Sequence, residues 1–167
     1  TMLQGSEQRH FDVADGLAGS DVRAILIDSQ GRKWFGTDGG ASMYDGFAWT
    51  SYAPSLSSIS SNYVHTLAVD PQGRTWFAYG DRGLGASVKD GDTWLQYTAD
   101  DGLASEYIYS LAFADGKSWL GTAHGVSQLN GTRWVDLSMA TGGPDGKITA
   151  LAVSPAGAST SSAVRPV

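Results

Sequence analysis

Short apolar stretches alternate with Gly- and Asp-rich turns along most of the chain, and no stretch keeps the apolar period of a helix. Val22 to Asp28 is mostly apolar, as expected of a strand covered on both faces, and Ser29-Gln30-Gly31 turns it. Lys33 to Thr37, Ala41 to Tyr44 and Phe47 to Tyr52 come next as strands, parted by Asp38-Gly39-Gly40 and Asp45-Gly46. The four signals return as Val64–Asp70, Thr75–Tyr79, Gly85–Lys89 and Thr93–Tyr97. They return again as Ile108–Ala114, Ser118–Thr122, Gly125–Leu129 and Arg133–Leu137. Every link is of hairpin length, which predicts four-stranded antiparallel meanders.

The opening residue of these units falls at 22, 64, 108 and 148, in steps of 42, 44 and 40. A period of about 40–45 residues built from four short strands is that of propeller blades. The predicted fold is therefore all-β and propeller-type, with three four-stranded blades and partial strands at both ends, an incomplete ring. Residues 1–10 are expected as an N-terminal extension and 11–157 as propeller. Within it, whole blades occupy about 22–63, 64–107 and 108–147, with partial strands at 11–17 and 148–154; 158–167 is expected as a tail. Trp34, Trp76 and Trp119 recur on the second strands, and Trp49, Trp94 and Trp134 on the outer ones. Their fixed place in each repeat assigns them to packing between stacked blades rather than to ligand stacking.

Three blades leave two apolar blade faces uncovered. At ~25 cal/mol per Å² and several hundred Å² per face, exposing one costs on the order of 10 kcal/mol. The chain is therefore expected either to associate with itself, as a homodimer completing the ring, or to belong to a longer propeller chain.

Composition narrows the functions. With 41% hydrophobic and 11% aromatic residues, the chain has material for a core. No apolar run approaches membrane-spanning length, and no basic segment precedes an apolar one at the N-terminus, so no uncleaved signal peptide is expected. The net charge of −6 comes mostly from turn aspartates, and the 11 Lys and Arg are scattered, which excludes a nucleic-acid partner. Zero Cys removes thiol chemistry and Cys-ligated zinc. No P-loop, dinucleotide fingerprint, paired-His metal motif or Gly-x-Ser-x-Gly elbow occurs. No cofactor and no catalysis are expected.

The pattern Val22…Ile25…Asp28…Gly31…Trp34-Phe35-Gly36-Thr37, with Gly39-Gly40…Tyr44-Asp45 after it, resembles the two-component regulator propeller repeat. Tyr97 to Ile108 likewise resembles the family's segment joining one blade to the next. The resemblance implies a sensor module of the kind found in the extracytoplasmic halves of bacterial hybrid histidine kinases. It also implies an extracytoplasmic location and oligosaccharide-like ligands. Two departures stand out. The second repeat has Ala78-Tyr79-Gly80-Asp81-Arg82-Gly83 where the others have a tighter turn, and the Asn usual before the first strand occurs only as Asn62.

Candidate ligand contacts lie where the copies differ. Arg23, His65 and Tyr109, with Thr149, are second residues of the first strands, which surround the axis of a propeller. Turns and linkers at the same end add Asn62, Tyr63, Tyr79, Asp81, Arg82, Glu106, Tyr107 and His124. Aromatic faces mixed with hydrogen-bonding groups suit a carbohydrate or other polar small molecule. Two alternatives remain: a structural or protein-interaction module, and a metal-dependent lyase of the streptogramin-lyase type using His65 and His124. The presence of only two glutamates, Glu7 and Glu106, weighs against the lyase.

Overall fold

In the computed structural model, residues 2–4, 7–56, 59–137 and 146–152 are described. Three antiparallel meanders carry the fold. The first blade comprises β3 (Val22–Ile27), β4 (Lys33–Thr37), β5 (Ala41–Tyr44) and β6 (Trp49–Tyr52). The second comprises β7 (Thr66–Val69), β8 (Thr75–Ala78), β9 (Ala86–Asp90) and β10 (Thr93–Tyr97). The third comprises β11 (Ile108–Ala114), β12 (Lys117–Thr122), β13 (Gly125–Asn130) and β14 (Arg133–Asp136). Each begins on its inner strand, and β7 lies against both β3 and β11, as inner strands around a shared axis do. The fold is an all-β propeller arc.

The ends depart from the sequence-based expectation. Strand β1 (Met2–Gln4) pairs antiparallel with β2 (Glu7–Arg9), so part of the expected extension is a hairpin. Residues 11–17, expected as a strand, form a turn closed by Asp15 and Leu17 N–H donating to the Asp12 carbonyl. The reason is register: Phe11 stands where Tyr97 ends β10, so the residues after Phe11 are linker. Ile148 is buried and donates its N–H to the Thr122 carbonyl, but no ladder forms over residues 148–152. The expected tail 158–167 lies outside the described residues.

Aromatic pairs join the blades at one recurring place. Phe11 meets Trp49 at 5.3 Å, Tyr52 meets Trp94 at 5.8 Å, and Tyr97 meets Trp134 at 5.3 Å between ring centroids. The inner series does the same deeper in the arc: Trp34 sits edge-on to Phe77 at 5.8 Å, and Trp76 tilts onto Phe113 at 5.4 Å. Both tryptophan series are thus packing elements, worth about 0.5–1.5 kcal/mol per aromatic pair beyond the area they bury. Trp34 and Trp76 are fully enclosed, while Trp119, on the face without a described neighbour, is half-buried.

On the face of the first blade opposite Trp34, Phe11 and Leu17 cover the outer strands at Tyr44 and Trp49, but the inner strand is bare. Ile25 and Ile27 are 67% and 64% exposed and border a groove with Phe35 and Leu17. One repeat on, Phe77 stands at the position of Phe35 and is fully buried against the first blade. The inner-strand part of this surface, Ile25 in one copy and Leu67 in the next, is open in the first and packed in the second.

Candidate functional site

The inner strands start, and the second strands end, at one end of the arc. Backbone bonds tie the two sets together there: Asp38 donates to the Asp21 carbonyl, His65 to Ala78, and Ala123 to Tyr107. Linkers are held by a recurring serine. Ser42 Oγ accepts from Ala18 N–H at 2.7 Å and Ser127 Oγ from Ala104 N–H at 2.9 Å. Ser61 and Ser105 each accept from the N–H two residues on, setting Tyr63 and Tyr107 at equivalent places.

The altered loop of the second repeat gives this end its character. Thr37 and Thr122 close tight turns by donating their hydroxyls to the carbonyls of Gly40 and Gly125. Tyr79 holds the equivalent position in the second blade, and the chain opens there into a short 3-10 turn, Gly80–Arg82. That turn carries Asp81 and Arg82 to the surface. Gly80 and Gly83 have positive φ, and a Cβ on them would meet the His65 ring at 2.5 Å and the Tyr107 ring at 2.7 Å. Bare backbone thus lets both rings lie close.

Around this turn the side chains converge. The Arg23 guanidinium lies 4.2 Å from the Tyr63 ring centroid and Arg82 lies 5.1 Å from it. Arg23 also pairs with Asp21 at 2.5 Å. His65 packs edge-on against Tyr109 at 5.4 Å, the Asp81 carboxylate lies near Tyr109, and the Lys147 ammonium lies 3.9 Å from the Tyr109 ring. Burial pushes the His65 imidazolium below its ordinary range; Asp81 opposes this, and Arg23 and Lys147 add to it. Burial raises the Tyr109 phenol, helped by Asp81.

Of the expected contacts, Arg23, Tyr63, His65, Asp81, Arg82 and Tyr109 thus come together. Tyr107 is adjacent and 44% exposed, lying over Gly83; Asn62 is exposed beside Tyr63. His124 is exposed on the turn next to Tyr107. Tyr79 does not belong. It is fully buried, donates to Ser87 Oγ at 2.6 Å and accepts from Ser60 N–H at 2.9 Å, standing in for the direct serine-to-linker bond of the other blades. Glu106 is turned to structure, accepting from Ala99 N–H at 3.0 Å. Lys147 joins the cluster without having been expected there. It precedes Ile148 as Tyr63 precedes Val64 and Tyr107 precedes Ile108, so its repeat offset was the signal that could have found it. Among the described residues no group of three or more His, Asp or Glu side chains is placed to hold a metal ion.

The two-component regulator propeller model matches residues 16–39 and 58–81. The match places two-component regulator propeller repeats in the first two blades. The matched segments run from the linker through the second strand, so they take in Arg23, Tyr63 and His65 along with the Asp-to-Trp turns. Among solved structures, the chain is similar to the extracellular domain of a hybrid two component system from B. thetaiotaomicron. That likeness has 22% identity and a TM-score of 0.73, over 86% of this chain and 20% of that one. The extracellular domain of a one component system from the same organism matches at 16% identity and a TM-score of 0.61, over 79% of this chain and 19% of that one. Virginiamycin B lyase from Staphylococcus aureus matches at 14% identity and a TM-score of 0.56, over 70% of this chain and 41% of the lyase. These likenesses establish the propeller fold. The chain spans about a fifth of the length of the extracellular domains it matches. No match was found among curated proteins.

Proposed function

We propose that the chain is part of an extracytoplasmic, non-catalytic sensing propeller that binds a carbohydrate or other polar small molecule at the end where its inner strands begin. The observation that carries this reading is the convergence of Arg23, Tyr63, His65 and Tyr109, one or two from each blade, with Asp81 and Arg82 from the single opened turn. Such groups contribute nothing to the repeated core, and ring faces interleaved with hydrogen-bonding charges are suited to polar ligands. The matched repeats, and the extracellular two-component domains among the structural neighbours, support the sensing role and the location.

A partner belongs to the same reading. The face around Ile25, Ile27 and Phe35 has the composition of a covered blade face, and further blades cover it, from a longer chain or from a second copy. A glycan and metabolite array probed with the folded chain and with Tyr63→Ala and Arg23→Ala tests the function. Binding by the parent that falls about tenfold or more in the variants is the expected result. A blank array favours a scaffold.

A further inference from the structure

Resting on the reading that this end of the arc binds a ligand, we infer that the ligand presents an anionic group, a carboxylate, sulfate or phosphate, to Arg82 and Lys147. Three ion pairs occur among the described residues, Arg23–Asp21, Arg32–Asp28 and Arg74–Asp70. Arg82 and Lys147 belong to none of them. Each instead rests over a tyrosine ring, Arg82 on Tyr63 and Lys147 on Tyr109. A ring face attracts a cation but accepts none of its N–H bonds in the strong, directed way an oxyanion does, so these donors stay available.

The nearby carboxylates form no ion pair with either cation among the described residues. Asp21 holds Arg23, and Asp81 lies beside Tyr109 and His65. Asp38 and Glu106, on the neighbouring turn and linker, accept the backbone N–H groups of Asp21 and Ala99. His65 adds a buried Nδ1 without a hydrogen-bond partner beside Tyr109, whose ring carries Lys147. The chain as a whole is acidic at −6, so its general field repels anions, and a local excess of unpaired cations runs against that background.

Calorimetric titration of the folded chain with a digalacturonate, galactose 6-sulfate, inorganic phosphate and neutral maltotriose tests the inference and separates the three anion sources. One anionic probe is expected to bind, about fivefold or more weakly in Arg82→Gln and in Lys147→Gln, and more weakly as salt is raised. Arg82→Lys should restore much of the loss. Both side chains are exposed, so the variants retain the fold. Maltotriose binding as tightly as the anions, or undiminished anion binding by both Gln variants, overturns the inference and leaves the ligand-binding reading intact. An array with neutral binders and no anionic probe bound does the same. An array blank for every ligand removes both.

Discussion

The Trp76 indole donates to the Asp70 carboxylate at 2.9 Å, as Trp34 does to Asp28 one repeat earlier. The same carboxylate of Asp70 accepts from the N–H groups of Gln72 and Arg74 and from Arg74 Nε at 2.6 Å. One side chain thereby closes the hairpin, fixes an arginine and orients the tryptophan that packs the next blade. The third blade has Ala114 at this place and a two-residue Asp115-Gly116 turn, both residues at positive φ. Its Trp119 is also the half-buried member of the series.

Removing Asp70 should therefore be costly. Asp70→Ala leaves a buried indole N–H and two backbone N–H groups unpaired and strands Arg74, for a loss of about 3 kcal/mol or more. Urea unfolding monitored by tryptophan fluorescence measures it. A loss below about 1 kcal/mol would show that the bonds are incidental to the blade.

Acid should weaken the first blade through Asp28. Burial raises its carboxyl, but bonds from Trp34, Arg32 and Gln30 together outweigh this and hold it below the ordinary 3.8. A folded-state value below the unfolded one means the stabilisation is complete above the unfolded value and fades as pH falls through the folded one. Between roughly pH 6 and pH 3 the parent should lose stability more steeply than Asp28→Asn, which cannot titrate there. Equal slopes would contradict the assignment.

The architecture was nearly all legible, because a repeat reports its strands three times over. Strands β4, β5, β10 and β11 have the bounds expected from the sequence, and the other blade strands differ by a residue or two. The ends were harder to read. Nothing at 2–9 repeats the apolar signals that marked the other strands, and the Phe11–Leu17 match to Tyr97–Leu103 covered a linker as much as a strand. The candidate site was legible where difference from the repeat meant freedom from packing, as at Arg23, His65 and Tyr109. That rule failed at Tyr79. There the sequence differs because the hydroxyl repairs a core contact that the opened loop would otherwise break, and burial is not visible from position alone.

Tyr79→Phe should separate structure from binding. It removes the hydroxyl that bridges Ser60 N–H and Ser87 Oγ, costing about 1–2 kcal/mol. Array binding by the still-folded variant should match that of the parent. A stable variant with lost binding would return Tyr79 to the site.

The bare face offers a matched pair of substitutions. Ile25 and Leu67 occupy the same repeat position, one open and one packed in the interface between the first two blades. Leu67→Glu should destabilise by about 2 kcal/mol or more, whereas Ile25→Glu should leave stability unchanged and abolish self-association. Sedimentation of the parent and of Ile25→Glu, with thermal midpoints for both variants, checks this. A strictly monomeric parent at micromolar concentration would exclude the second copy as the cover.

The claim that function resides where the inner strands begin is tested most directly by ring resonances. With tyrosine and histidine side chains isotopically labelled, the strongest array binder is titrated into the folded chain. Tyr63, His65, Tyr107 and Tyr109 are expected to shift together and saturably, while Tyr44 and Tyr97, packed in the blades, stay put. Shifts confined to Tyr44 and Tyr97, or a saturated complex in which the four rings do not move, would contradict the account.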